Sequence, residues 1–312
     1  MLLQVLGTAA GGGLPQWNCV CPGCAGAHAH PHRRRRHASL ALRADEGRWY
    51  LAGATPGIGD QIEDSPVLGR PDGDRAVSTQ TSTEIRSREE LTARLRAVAT
   101  ERYHDRHPFN VRMHEGRLSP AELRRWIINR FHYQRHIPVK DALILAKFDD
   151  PALRRAWIRR IQDHDGEKDG DGGIERWLRL GEAAGIERGR LESGDEVLPG
   201  VRLAVDGYVN FCRLRGPLEA VAASLTELSA PTIMRTRIAA FEQHYPWIDT
   251  DGLTYFRRRI DQGGRDSEEA LALVLRWAGT REQQDAAVAA LGFKCDVLWS
   301  LLDAVDNAGE RP

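Results

Sequence analysis

The stretches RFHYQRHIPVKDA (residues 130–142) and WIRRIQDH (residues 157–164) carry basic and hydrogen-bonding side chains where an amphipathic helix would carry leucine. At 3.6 residues per turn, Trp126, Arg130, Tyr133 and Gln134 share one helical face. Trp157, Arg160, Ile161 and His164 share another. A single Arg or His on such a face is ordinarily a core residue whose hydrogen bonds are met. Two successive helices patterned alike predict a cavity built for something anionic and planar.

The helical pattern runs from about Ser87 to the end of the chain. Leu91, Leu95 and Val98 keep i, i+4, i+7 spacing, and Ser119-Pro120-Ala121-Glu122 combines an N-cap, a proline at the first helical position and a glutamate at the third. Further helices are expected at about 173–184, 198–213, 217–229, 231–243, 250–276 and 281–306. Pro138 should kink its helix or begin a new one. Residues 1–76 differ: they are rich in Gly, Pro and His, with short strand-like runs at Met1–Leu6, Ser39–Arg43 and Arg48–Leu51. The polar stretch Asp72–Thr83 separates the two compositions. The expected organisation is an amino-terminal fragment at 1–76, a linker at 77–87 and a helical domain at 88–312. The fold class is mainly all-α, a helix bundle preceded by a small β-rich piece. About 75 residues with three short strands are marginal as a fold, so this piece is expected to lean on the larger one, a partner or a metal.

Bulk properties narrow the function. The 312 residues hold 44 basic and 44 acidic side chains, so no general footprint for nucleic acid or an anionic membrane is expected. No apolar run approaches the roughly 20 residues of a membrane span. The start MLLQVLGTAAGGG lacks the basic region of a secretory leader, which makes a soluble cytoplasmic protein the expectation. Five cysteines, three of them clustered, do not form a disulfide framework.

That cluster, Cys19, Cys21 and Cys24, precedes His28, His30, His32 and His37. Thiolates so closely spaced can wrap one zinc ion, with a histidine completing a tetrahedral set; a loop of reduced thiols is the alternative. The basic run Arg33–Arg36 reads as a solvated loop. In the helical part, Tyr208 follows Val201 and Val205, Lys294 lies among Leu291, Leu298 and Leu301, Tyr255 pairs with Arg259 at i+4, and Glu227 shares a face with Ala220 and Ala223. A buried lysine alone would be read as snorkelling. Together these cations and hydroxyls suit a ligand with several carboxylates, which arginine forks bind in pairs. One Glu-x-x-His, Glu101–His104, is too little for a helical di-iron site. Neither a phosphate-binding glycine loop between strand and helix nor a GxSxG elbow is present.

Two resemblances follow from particular strings. GTAAGGGLPQWNCVCPGC (residues 7–24) resembles the amino-terminal segment of the PqqB family, metallo-β-lactamase-fold proteins of pyrroloquinoline quinone biosynthesis, over the first 60–70 residues. That resemblance implies a structural zinc on Cys19, Cys21 and Cys24. The HxHxDH-type motif of that fold and the part supplying the fourth zinc ligand have no counterpart here, so the fragment is expected to be a catalytically dead remnant or a docking piece for other pathway proteins.

RFHYQRHIPVKDA (130–142), RRIQDHDGEKDGDGGIERWLRLGEAAGI (159–186), LPGVRLAVDGYVNF (198–211), SLTEL (224–228), HYPWI (244–248) and FKCDVLW (293–299) are similar to the PqqC family of pyrroloquinoline quinone synthases across 88–306. The resemblance implies a heme-oxygenase-like helix bundle acting as a homodimer. It implies the last ring closure and O2-dependent oxidation of a tricyclic, polycarboxylated precursor, releasing hydrogen peroxide without metal or organic cofactor. By matching position, Arg130, Gln134, Arg160, Arg237 and Lys294 would hold carboxylates and quinone oxygens, with Tyr103, His104, Tyr133 and Thr226 lining the pocket. His164 would be the general acid/base, its ordinary pKa lying near operating pH. Tyr208, Tyr255 and Arg259 would surround the O2 position, with Glu227 orienting them. Where that family has a second active-site histidine, this chain has Met234, in APTIMRTR (230–237). A thioether neither donates a strong hydrogen bond nor shuttles a proton. Substrate binding is expected to survive and a late oxidation to slow, with His132 compensating in part. Two other readings stay open: a carrier of the quinone or an intermediate that has lost turnover, and an oxidase of the same fold acting on another polycarboxylated aromatic.

Overall fold

The structure, a computed structural model, describes residues 2–7, 14–15, 19, 21–30, 33–43, 49–52, 58–65, 68 and 84–309. The chain divides into two compact units, residues 1–81 and 82–312. Residues 77–83 of the expected linker lie outside the described residues. Its last residues belong to the helical unit: Arg86 N–H donates to Gln284 Oε1 at 2.9 Å and the Arg86 guanidinium pairs with Asp285.

In the amino-terminal unit, β1 (Leu2–Gly7), β2 (Ser39–Arg43) and β3 (Trp49–Ala52) form an antiparallel sheet in that order, with Val5 opposite Leu40 and Ala41 opposite Leu51. Helix α1 (Pro22–Ala29) starts on Cys21, whose sulfur accepts from Cys24 N–H, and helix α2 (Ile58–Glu63) packs on β1. Burial alternates along β2: Ser39 and Ala41 point inward, Leu40 outward. Leu3, Val5, Leu40, Tyr50 and Leu51 stay exposed, because so small a sheet cannot cover both of its faces.

The helical unit begins with α3 (Arg88–Arg102), held by a reciprocal Ser87/Glu90 capping box, and turns through a 3-10 segment at His104–Arg106 into α4 (Pro108–His114). Helix α5 (Pro120–Leu145) starts on a Ser119/Glu122 capping box with Pro120 leading. It runs through Pro138 as one helix, so of the two outcomes expected there Pro138 does not begin a new helix. The buried face around Ile137, Pro138 and Asp141 is packed on both sides by α6 (Pro151–Asp165) and α9 (Pro199–Leu214), and tertiary packing outweighs the lost backbone hydrogen bond. Helix α7 (Gly172–Ala183) leans on α5 and α6, and the short α8 (Arg188–Ser193) follows it.

The expected helix at 217–229 is two pieces, α10 (Pro217–Ala222) and a 3-10 segment at Ala223–Ser229 wedged between α12 (Thr254–Trp277) and α13 (Arg281–Asp306). The tighter winding puts Ser224 and Glu227 on one side, three residues apart. Helix α11 (Ala230–His244) packs along α12, and α13 packs against α3 and α9. The apolar core is continuous from Leu91 to Val305. Among the described residues, no helix is long and apolar enough to cross a membrane.

Candidate active site

Helix α5 carries Arg130, Tyr133 and Gln134 into a group of side chains from several other elements. Lys294, 1% exposed on α13, donates to Tyr133 Oη at 2.7 Å and lies 3.6 Å from the centre of the Tyr208 ring and 4.2 Å from that of Tyr133. Burial holds its ammonium well below the ordinary lysine pKa, helped by Arg130 and Lys140. Arg130 stacks on the Tyr133 ring at 4.1 Å. Tyr255 Oη donates to Gln134 Oε1 at 2.8 Å, and α12 also supplies Arg259, whose Nη2 meets Glu227 at 2.5 Å. Burial opposes the Arg259 charge, but Glu227, Tyr255 and Asp266 outweigh it and keep the guanidinium firmly protonated.

Helix α6 contributes the opposing set. Asp150 caps its start, accepting from Ala152 N–H at 2.7 Å, and Gly166 ends it with φ at +86°. The DGEKDGDGG loop then doubles back so tightly that a Cβ on Gly172 (φ +90°) would fall 2.5 Å from the His164 carbonyl oxygen. Gly173 lets the chain pass beside the His164 and Tyr255 rings, where a Cβ would touch both at 3.4 Å. Arg160 lies on the Trp157 ring at 3.9 Å and donates through Nη2 to the Asp266 carbonyl. His164 Nδ1 is 3.0 Å from the Arg160 carbonyl; a carbonyl only accepts, so Nδ1 carries the proton and Nε2 is the basic atom. Burial, with Arg259 nearby, pushes the His164 pKa down to about 4. The ordinary value expected from sequence does not apply: the imidazole is neutral, a proton acceptor at Nε2.

The third group is Tyr103, His104 and Arg237. Arg237 on α11 lies over the Trp126 ring at 5.0 Å and donates to Asn110 Oδ1 at 3.2 Å, and burial with Arg130 beside it lowers its pKa to about 10. Tyr103 and His104 meet edge to face at 4.3 Å. Burial, then Arg130, Arg237 and Lys294, keeps His104 neutral. Thr226 is buried beside Glu227 in the 3-10 segment. Burial raises the pKa of the Tyr103, Tyr133 and Tyr255 phenols, with Glu227 adding to it, and outweighs Arg130, which pulls all three down.

Four buried polar atoms of this group have no hydrogen-bond partner: His104 Nδ1, Arg160 Nε, His164 Nε2 and Arg237 Nε. Leaving such atoms bare costs about 1–3 kcal/mol each. Four in one cluster are the mark of a site that a polar ligand completes.

The structure adds residues that the sequence reading passed over. Lys140 donates to Asp141 Oδ1 at 2.7 Å and to Ser224 Oγ at 3.2 Å, and Trp157 Nε1 donates to the same Asp141 oxygen at 3.0 Å. Lys140 and Asp141 are i+7 from Tyr133 and Gln134, so helical spacing did carry that signal. Asp266 is i+7 from Arg259 and meets it at 3.4 Å. Asn110 joins the His104 carbonyl (2.7 Å) to Arg237 from a short helix with no periodicity to betray it. Met234 is buried on the α11 face that carries Arg237. His132 faces away from the cluster: its ring lies 4.4 Å from His136, among Arg202, Arg135 and Asp206, and the compensating role expected of it has no support in this geometry.

In the amino-terminal unit, the sulfurs of Cys19, Cys21 and Cys24 lie within 4.8 Å of one another, and the Cys24 N–H and neighbouring thiols lower the Cys21 pKa to about 7. Three thiols grouped this closely, one of them with a lowered pKa, are a donor set of the kind zinc takes. No fourth side chain joins the three among the described residues, and His32 lies outside them.

The TENA/THI-4/PQQC family model matches residues 92–304. The chain belongs to this family. Pyrroloquinoline-quinone synthases from Granulibacter bethesdensis (48% identical, covering 72% of this chain and 89% of the relative), Xanthomonas campestris pv. campestris (49%; 74% and 92%) and Rhizobium meliloti (50%; 74% and 90%) are similar to it. Among solved structures, a domain of unknown function with a heme oxygenase-like fold from Shewanella denitrificans superposes with a TM-score of 0.60 at 15% identity over 73% of this chain and 95% of that one. A TenA homologue from Pseudomonas syringae pv. tomato gives 0.58 at 15% over 71% and 96%. These likenesses give the helical unit the heme-oxygenase-like fold. The family match begins at residue 92 and leaves the amino-terminal unit outside it.

Proposed function

We propose that this family member is a pyrroloquinoline-quinone synthase, completing the quinone from its tricyclic, polycarboxylated precursor with O2 as oxidant and hydrogen peroxide as by-product. Catalysis is assigned to residues 88–312, with 1–76 a separate piece. The observation that carries the reading is the set of four unpartnered buried polar atoms, each on a histidine or arginine that matches the synthase pattern, beside Lys294 and Arg259, in a chain about half identical to named synthases. Arginine nitrogens left bare in a low-dielectric site suit carboxylates, and water is a poorer partner there.

In this reading Arg130, Arg160, Arg237 and Lys294 hold the precursor's carboxylates and quinone oxygens, while Tyr103, His104, Tyr133, Gln134 and Thr226 shape the pocket. His164, neutral and already oriented by the Arg160 carbonyl, takes a proton at Nε2 from the ring undergoing oxidation. Each O2 reduced to hydrogen peroxide removes two electrons and two protons from the substrate. Arg259, Tyr255 and Tyr208 stabilise the reduced oxygen as charge develops on it. Glu227 holds Arg259 in place. In the amino-terminal piece, Cys19, Cys21 and Cys24 would hold a zinc ion that braces the fragment, a structural part only.

Met234 favours a second reading, a carrier that binds the quinone without completing turnover, because no imidazole stands on that face of α11. Incubating the pure protein with the precursor under air, while following quinone absorbance and peroxide, separates the two. Many turnovers establish the synthase. A single bound, stalled species establishes the carrier, and in that case Met234→His restores turnover.

A further inference from the structure

Two cations of the site, from different helices, meet on one residue outside it. Asp266 is 2% exposed on α12. Its Oδ2 receives Arg259 Nη1 at 3.4 Å, its Oδ1 receives Arg265 Nη2 at 2.7 Å and Nε at 3.2 Å, and Oδ1 lies 4.0 Å from Arg160 Nε. Its main-chain carbonyl accepts from Arg160 Nη2. Arg265 faces outward: it is half-buried, pairs with Asp163 and borders a surface cavity of about 460 Å³ with Arg159 and Arg258. Burial alone would raise the carboxyl's pKa, but Arg160, Arg259 and Arg265 more than offset this and keep it ionised.

We infer that Asp266 is a positioning residue of the reaction: it sets the separation and orientation of the Arg160 and Arg259 guanidiniums, so that the carboxylate grip and the oxygen-reducing end of the site are held in register. Two guanidiniums brought together in a low-dielectric interior repel. Arg259 has one other anchor, Glu227, and Arg160 has the Trp157 ring. Neither links one arginine to the other; Asp266 does. Only a carboxylate can do so, because an amide offers one accepting atom where Arg259 and Arg265 each need one, and its NH2 would face a guanidinium N–H. The inference rests on the proposed function for the roles of Arg160 and Arg259. Errors of about 1 Å in such a constellation cost on the order of a hundredfold in rate.

The test compares wild type, Asp266→Asn, Asp266→Glu and Arg265→Met as full-length proteins. Steady-state rates are measured with the precursor, together with the absorbance spectrum of the bound quinone product. Asp266→Asn is expected to lower kcat at least thirtyfold with KM within threefold, since Arg160 keeps its main-chain acceptor and the site gains net positive charge. Asp266→Glu keeps the charge but moves it one methylene, and is expected to lower kcat at least tenfold. Arg265→Met should stay within twofold. Both Asp266 variants should shift the bound-quinone spectrum and Arg265→Met should not. Wild-type kcat in Asp266→Glu, or a KM rise at unchanged kcat in Asp266→Asn, overturns the inference. If Asp266→Asn does not fold, Asp266→Glu decides. A wild type that binds the quinone without turning over would strike the proposed function alone; the spectra then decide on Asp266, and unshifted spectra overturn its role.

Discussion

Two sides of the buried cluster are built on opposite rules. On one, every polar group is answered: Lys294 by Tyr133, Tyr255 by Gln134, Arg259 by Glu227 and Asp266, Lys140 by Asp141 and Ser224. On the other, His164 Nε2, Arg160 Nε, Arg237 Nε and His104 Nδ1 have no hydrogen-bond partner. Apart from the partly exposed Glu227, both are buried, so desolvation does not distinguish them. The answered side holds its geometry through bonds already made within the protein, and the bare side leaves polar atoms open to a ligand. Removing an answering partner such as Gln134 should therefore register in stability, and changes on the bare side in binding and rate.

The largest effect should come from the bare side. His164→Ala removes the Nε2 acceptor and is expected to slow oxidation by about 10²–10⁴-fold, the range for a lost general base, while product binding measured by titration stays within a few-fold. Arg130, stacked on Tyr133 with no hydrogen bond to protein among the described residues, comes next. Arg130→Ala should weaken product binding by about 1.5–3 kcal/mol with little change in unfolding midpoint. Normal product affinity in that variant would break the comparison. On the answered side, Gln134→Leu strands the Tyr255 hydroxyl, and urea unfolding should show a loss of about 1–3 kcal/mol. An unchanged midpoint there would mean Tyr255 finds another partner and the side is less fixed than described.

The effect of pH reads burial on neither side alone. His104, His114, His132 and His164 are all held below the ordinary histidine value of about 6.5 by burial, the last three down to about 4. The unfolded chain then binds more protons than the folded one across this window. Stability is fully present above about pH 6.5 and is lost as pH falls toward 4. Melting curves at pH 7 and pH 5 should differ in that direction, by roughly 2–4 °C for each kcal/mol lost. Bound product should reduce the drop, because a polycarboxylate stabilises the protonated imidazole of His164.

Much of the cluster was legible because its residues fall on helices at regular spacing: Arg130, Tyr133 and Gln134 on α5, Arg160 and His164 on α6, Tyr255 and Arg259 on α12. The Ser119-Pro120-Ala121-Glu122 signature marked where α5 starts. Several of the groups that answer the cluster's polar side chains were not legible. Asn110 and Ser224 act through contacts 127 and 84 residues away in sequence, which no local period encodes. The depressed pKa of His164 also depends on burial and on Arg259 from another helix, so the residue type alone suggested an acid/base near neutrality where the fold makes a plain base. The amino-terminal sheet was found within a residue or two, yet its uncovered Leu3, Val5 and Leu51 follow from how few strands there are to cover them.

A crystal structure with the quinone product bound tests the central claim most directly. The account predicts product carboxylates or quinone oxygens within hydrogen-bond distance of Arg160 Nε and Arg237 Nε, and His164 Nε2 facing the ring system, with the Lys294–Tyr133 and Tyr255–Gln134 bonds intact. Product seated elsewhere, with those four atoms still bare, would contradict it.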